Sequence, residues 1–210
     1  MSVDGLVVVD YGAGNLRSVE KALVSLGYRP RVTSEPKDVE GAAAVVLPGV
    51  GAAGQIMDSL RSLGLDEAVV DYIGSGRPFL GVCMGMQVLF DRSEEDDGQQ
   101  CLGVLPGRVR KLPSSVKVPH MGWNAVSQRV SHPIWEGVPD ESYFYFVHSY
   151  AVEPADEALQ AGSTDYAGVF TSAVARDNLF GTQFHPEKSG RFGLQIYRNF
   201  VEWASTSFPR

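Results

Sequence analysis

Four short strand-like runs in the first ninety residues, LVVVD (6–10), RPRVT (29–33), AAVVL (43–47) and PFLGV (78–82), alternate with stretches of helical periodicity. Runs that are apolar on both faces and alternate with helices are buried in a parallel sheet covered on both sides. Asn15 precedes a segment with Leu16, Val19, Leu23 and Leu26 on one face, and so reads as a helix N-cap. A second helical stretch runs from about Gln55 to Ile73, with a break near Gly64. After PFLGV the run CMGMQVLF has helical character. The pattern then changes. The acidic run DRSEEDDGQQ (91–100) reads as a solvated, mobile surface loop. Beyond it RVRKL, YFYFVHSYAV, ALQAG, GVFTSAVAR and LFGTQF alternate more, which predicts antiparallel or mixed pairing. RFGLQIYRNFVEWA closes the chain as a helix with Phe192, Ile196, Phe200 and Trp203 on its buried face. The expected fold is α/β: one domain, residues 1–210, with a central mixed, mostly parallel sheet flanked by helices.

Composition narrows the function. A chain of 210 residues supports its own core, burying roughly 70% of its unfolded surface. Its 18 basic and 25 acidic residues leave a net charge of −7, which disfavours nucleic acid as the main ligand. Two cysteines do not make a disulfide framework. No basic leader precedes an apolar stretch, and no run approaches the ~20 apolar residues of a membrane helix. The longest apolar stretch, residues 41–54, is broken by Pro48 and several glycines. The expectation is a protein of the reducing cytoplasm, without nucleic-acid or membrane partners.

Two glycine motifs compete for the chemistry. Gly49-Val50-Gly51-Ala52-Ala53-Gly54 fits G-x-G-x-x-G after a strand. A dinucleotide site also needs an acidic residue at the end of the next strand, about 20 residues on. Asp66, Glu67 and Asp71 fall inside a predicted helix instead, so a dinucleotide-binding oxidoreductase is set aside for a tight glycine turn. The second motif is Gly81-Val82-Cys83-Met84-Gly85, a G-x-nucleophile-x-G elbow between a buried strand and a helical segment. The sharp turn forces the central residue into strained angles, and side chains at the flanks would collide. A helix N-terminus behind Cys83 favours its thiolate. Cys101 has no such setting and reads as structural.

A cysteine nucleophile needs a base. His132 lies in a polar turn and reads as exposed, while His120 and His148 are flanked by apolar and aromatic residues, a setting that by composition alone would also suit satisfied core histidines. His185 ends the apolar strand LFGTQF and is followed by Pro186 and Glu187. Residues two apart in extended chain share a side, which sets Glu187 near the imidazole. Cys83, His185 and Glu187 then form a triad for acyl transfer. No His/Cys spacing suits zinc, so no metal is expected.

GVCMGMQ and FHPE, about one hundred residues apart, resemble the class I glutamine amidotransferases. DYGAGN, LPGVGA, PHMGWN, YFVHSY and QFHPEKS narrow the resemblance to the glutaminase subunits of imidazole glycerol phosphate synthases, across essentially the whole chain. Glutaminase subunits serving pyridoxal phosphate or anthranilate synthesis share the elbow and the FHPE run but are less similar in the other motifs. The resemblance implies a flavodoxin-like core, no cofactor, and hydrolysis of glutamine to glutamate and ammonia. It implies oxyanion donors at Met84 and at Val50 or Gly51, and glutamine binding by Gln87, Ser149 and Tyr150. It also implies a heterodimer with a cyclase subunit, a (β/α)8 barrel contacted near Asn15, Trp123, Tyr145 and Lys188. Ammonia passed to that cyclase would yield imidazole glycerol phosphate and aminoimidazole carboxamide ribotide. A dry passage suits this chemistry, because ammonia in neutral water becomes mostly ammonium, which is no nucleophile.

Overall fold

Every residue of β1 (Leu6–Val9), β3 (Ala44–Leu47) and β4 (Phe79–Val82) is buried, as two-sided apolar strands require. The computed structural model describes residues 5–12, 14–95 and 98–207. Together with β2 (Arg31–Thr33) at one edge and β13 (Leu179–Thr182) on the other side, these strands form a parallel group in the order β2-β1-β3-β4-β13. The order reverses at β1. With right-handed crossovers, that reversal sends α1 (Leu16–Ser25) and the pair α3 (Ala53–Ser62) and α4 (Leu65–Gly74) to opposite faces. The helix contacts agree: α1 packs with α6 (Gly190–Ser207), while α4 packs with α3 and with α2 (Pro36–Glu40).

The remaining strands extend the same sheet, mostly antiparallel. β12 (Val169–Arg176) pairs with β13 and with β10 (Tyr150–Pro154), which pairs with β7 (Leu105–Lys111). β5 (Phe90–Ser93) lies parallel to β7 and antiparallel to β6 (Gln99–Gln100). A ribbon of β8 (His120–Gln128) and β9 (Ser142–His148) joins through β11 (Gln160–Asp165). The sheet is therefore mixed, and the parallel strands make up its core rather than its majority.

Several expectations change. CMGMQVLF is helical only over α5 (Met84–Gln87), because Phe90 already begins a strand. The acidic run is not wholly a free loop: its first three residues end β5 and its last two form β6, which pair with each other, and Ser93 is buried. Asp96 and Asp97 of that run, and Ala13 of the YGAGN turn, lie outside the described residues. YFYFVHSYAV is two strands broken at Ser149, and PHMGWNAVSQ, unassigned in the sequence, supplies β8. His132 is half-buried: its Nδ1 accepts from the Ile134 N–H, its ring lies against Phe180 and Trp203, and burial pulls its pKa down to about 4. The helix break at Gly64 is present, with φ at +67. Asp66, Glu67 and Asp71 lie in α4, away from any strand end. No helix among the described residues is long and apolar enough to cross a membrane.

Candidate active site

Three loops leave the carboxyl ends of neighbouring parallel strands, where open α/β sheets place their sites. The 48–52 loop follows β3, Cys83 follows β4, and His185 follows β13. Cys83 adopts φ 53 and ψ −112, a left-handed conformation that side chains rarely take and that costs roughly 1–3 kcal/mol. The fold sustains it through close glycine contacts. A Cβ on Gly81 would lie 2.7 Å from the Gly85 carbonyl oxygen, and one on Gly49 would lie 2.5 Å from the Gly85 nitrogen. The turn that resembles a dinucleotide motif is thus pressed against the elbow.

Gly85→Ala is expected to destabilise the chain by about 3 kcal/mol or more, the upper end of overpacking costs. Its Cβ would meet the Leu47 carbonyl oxygen at 1.9 Å, and backbone cannot move aside as a side chain can. Gly74→Ala, with nothing within 4 Å, is the control and should be nearly neutral. Denaturant midpoints compare the two; similar midpoints would refute the tight-elbow account.

The structure brings Cys83, His185 and Glu187 together. His185 Nδ1 lies 2.7 Å from Glu187 Oε1, and both side chains are buried. The contact is made by a 3₁₀ turn over Pro186–Lys188, not by the extended chain that the sequence suggested. Nε2 is buried without a hydrogen-bond partner, and His185 lines one cavity with Cys83, whose sulfur it is free to engage. Burial alone would lower the His185 pKa. The nearby Cys83 sulfur, and then the hydrogen bond and charge of Glu187, outweigh burial and raise it to about 10. Burial would likewise raise Glu187, but its bonds to His185 and Asn15 hold it below the usual carboxylate value.

Glu187 is itself anchored. Asn15 Nδ2 donates to Oε1 at 2.5 Å, and the Tyr197 hydroxyl donates to Oε2 at 3.1 Å. Asn15 stands at the start of α1, yet its side chain caps no helix N–H as the sequence reading had it. The bond from its Nδ2 to the carboxylate turns the side chain toward Glu187, and its Oδ1 makes no bond to the first turn of α1. Tyr197 was missed in the sequence, where a tyrosine within the apolar stripe of α6 was its only signal.

A cavity of about 330 Å³ opens over the cysteine, lined by Val50, Gly51, Cys83, Met84, Gln87, Glu95, Ser149, Tyr150 and His185 among others. Gly51 has φ +108, and Met84 starts α5, where helix-end N–H groups lack helical acceptors. The α5 helix is only four residues long, so its dipole is a minor aid to the thiolate. Gln87 Nε2 donates to the Tyr150 carbonyl at 2.8 Å and to Gln183 Oε1 at 2.9 Å, while its own Oε1 is buried without a partner. The Tyr150 carbonyl also faces His148 Nδ1 at 2.8 Å, so both its lone pairs are occupied. Glu95, missed in the sequence, accepts from the Ala53 N–H at the start of α3. Gln183 Nε2 lies 3.6 Å from Cys83 Sγ and was missed as well, its signal being a polar residue inside an apolar strand.

His120 and His148 are buried core histidines, 2.9 Å apart through Nδ1 and Nε2, and burial pulls His148 down to about 3. Trp123, Tyr145 and Lys188 form one surface cluster: Trp123 is 54% exposed and stands edge-on to Tyr145, and Lys188 Nζ lies 5.9 Å from the Tyr145 ring. Among the described residues, no group of three or more His, Cys, Asp or Glu side chains is placed to hold a metal ion.

The class-I glutamine amidotransferase family model matches residues 7–203. The chain is 52% identical over 199 residues to the imidazole glycerol phosphate synthase subunit HisH of Dehalococcoides mccartyi (strain CBDB1), covering 95% of this chain and 97% of that one. It is 50% identical over 210 residues to the subunit of the same name from Nitrosococcus oceani, covering 98% and 100%. A solved glutamine amidotransferase shares the fold at a TM-score of 0.76 and 22% identity, covering 96% of this chain and 100% of that one.

Proposed function

The chain belongs to the class-I glutamine amidotransferases, and we propose that it is the glutaminase subunit of an imidazole glycerol phosphate synthase. The observation that carries the chemistry is a cysteine strained at an elbow, beside a buried imidazole whose far nitrogen is bound to a carboxylate. The Cys83 thiolate attacks the side-chain amide carbon of glutamine. The developing oxyanion takes N–H donors from Met84 and from Val50 or Gly51. His185 passes its proton to the leaving nitrogen, and ammonia departs, leaving a thioester. The sulfur no longer carries charge at this stage. The imidazole thereby loses the foremost charge that held its proton and becomes the base for the incoming water. Collapse of the second intermediate returns the thiolate and releases glutamate.

The cavity supplies recognition. The unpaired Oε1 of Gln87 and the Glu95 carboxylate set acceptors and negative charge for the α-ammonium group, and Ser149 and Tyr150 line the same cavity. The partner is a cyclase subunit with a (β/α)8 barrel. Exposed Met121 and Trp123 on β8 and Tyr143 on β9, with Tyr145 and Lys188 beside them, form its docking face. Asn15 ties α1 directly to Glu187.

Gly51 at positive φ, with glycine also before Val50, lets the loop peptide take two orientations. Docking that favours the orientation with an N–H toward the oxyanion switches the glutaminase on. One missing oxyanion donor lowers the rate by about a hundred- to a thousandfold. Steady-state glutamate production by the chain alone is therefore expected to be at least about a hundredfold slower than with saturating cyclase and its ligand. Equal rates would eliminate the switch, and no ammonia release under either condition would eliminate the glutaminase.

A further inference from the structure

Gln183 lies one residue past β13, fully buried. Its neighbours settle which way its amide points. The Tyr150 carbonyl can only accept, so the Gln87 atom 2.8 Å from it is Nε2. The second N–H of that group meets Gln183 at 2.9 Å, which therefore presents Oε1. Gln183 is left with Nε2 toward Cys83 Sγ, at 3.6 Å. Turning the amide over would set two NH₂ groups against each other and an amide oxygen against the sulfur. We propose that Gln183 is a catalytic residue, donating a side-chain N–H to the Cys83 sulfur and linking it through Gln87 to the substrate cavity.

The proposal rests on Cys83 being the nucleophile. His185 supplies charge to the sulfur, but it gives up its proton to the leaving nitrogen in the first half-reaction and regains one only from the water of the second. An amide does not titrate, so Gln183 keeps its donor throughout. It steadies the thiolate before attack and again as the sulfur leaves during thioester hydrolysis. Burying an amide is unfavourable unless it is bonded, and here both ends of Gln183 are engaged. The arrangement also explains why Gln87 spends its N–H groups on Tyr150 and Gln183 and is left with Oε1 as its one unpartnered polar atom.

The test uses the full chain in a Cys101→Ala background, so that one thiol reports. For Gln183→Leu and Gln183→Met, iodoacetamide alkylation of Cys83 at neutral pH should slow about tenfold or more, the worth of one hydrogen bond to a charged group. Its pH profile should move to higher pH. In the complex with the synthase partner, kcat should fall by at least the same factor while KM for glutamine changes less than about threefold. An unmoved alkylation profile with only KM raised would make Gln183 a support for Gln87 and overturn the proposal. If both variants fail to fold, the side-chain amide resonances of Gln183 in the otherwise native chain decide. They should shift when Cys83 is replaced by alanine, and unchanged resonances overturn the proposal. Wild-type turnover that survives full alkylation of Cys83 would instead sink the nucleophile assignment, a result read without any Gln183 variant.

Discussion

Replacing Cys83 by alanine is expected to lower glutamine turnover by at least about four orders of magnitude, on the scale seen when a nucleophile of a catalytic triad is removed. Alanine retains the Cβ and the strained backbone, so the variant should fold as the parent does. Cys83→Gly removes the same sulfur but also the penalty of φ 53, and should be the more stable of the two variants. That difference separates strain held for function from packing. Cys101→Ala is the control. Burial, the largest influence on the Cys101 thiol, pushes its pKa up to about 11, so it stays protonated and inert at neutral pH. The measurements are glutamate production and thermal midpoints of the three variants. A folded Cys83→Ala protein that still hydrolyses glutamine, or a Cys101→Ala protein that does not, would show that the wrong cysteine had been chosen.

How much of this could be read from the chain depends on whether a feature is local. The two-sided strands around residues 6–9, 44–47 and 79–82 announce a parallel core, because their burial is written in consecutive apolar residues. The elbow is equally local, since both its glycines and its cysteine lie within five residues. β8 was unreadable because Gly122, Trp123 and Asn124 interrupt any alternation; it is held as a strand by pairing with β9 and β11. Asn15 looked like a cap because caps are judged from three neighbours. Its real partner, Glu187, is 172 positions away. Gln183 and Glu95 share that history, each being a polar side chain whose partner is remote in sequence, while Tyr197 reaches back ten residues from α6 to Glu187. The His185–Glu187 contact shows the converse. The right pair was named from an extended-chain argument, although a 3₁₀ turn makes the contact, because two residues of separation permit either geometry.

The second large effect belongs to His185, and its pH dependence follows from what surrounds the ring. His185→Ala should abolish turnover, since it removes the proton donor for ammonia and the base for water together. Glu187→Gln should cost roughly 10²–10⁴-fold, a smaller loss, because it removes orientation and one charge but leaves the imidazole in place. His120→Ala and His148→Ala are the folding-matched controls. Burial opposes protonation of His185, and the Cys83 sulfur is the foremost group overcoming it. Cys83→Ala should therefore drop the His185 pKa well below about 10, and Glu187→Gln should drop it less. The stability consequences have a definite sign. The raised His185 contributes stability that is complete below about 6.5 and is lost as pH rises through about 10. The lowered Glu187 contributes stability present above its ordinary value near 4.5 and lost as pH falls through its depressed value. Activity should fall on the alkaline side near pH 10, where the imidazolium that protonates ammonia is gone. Histidine ring resonances followed across pH in the wild type and in Cys83→Ala measure the central quantity. A His185 titration that stays near 10 without the sulfur would contradict the thiolate–imidazolium pair, and with it the account of how one imidazole serves first as acid and then as base.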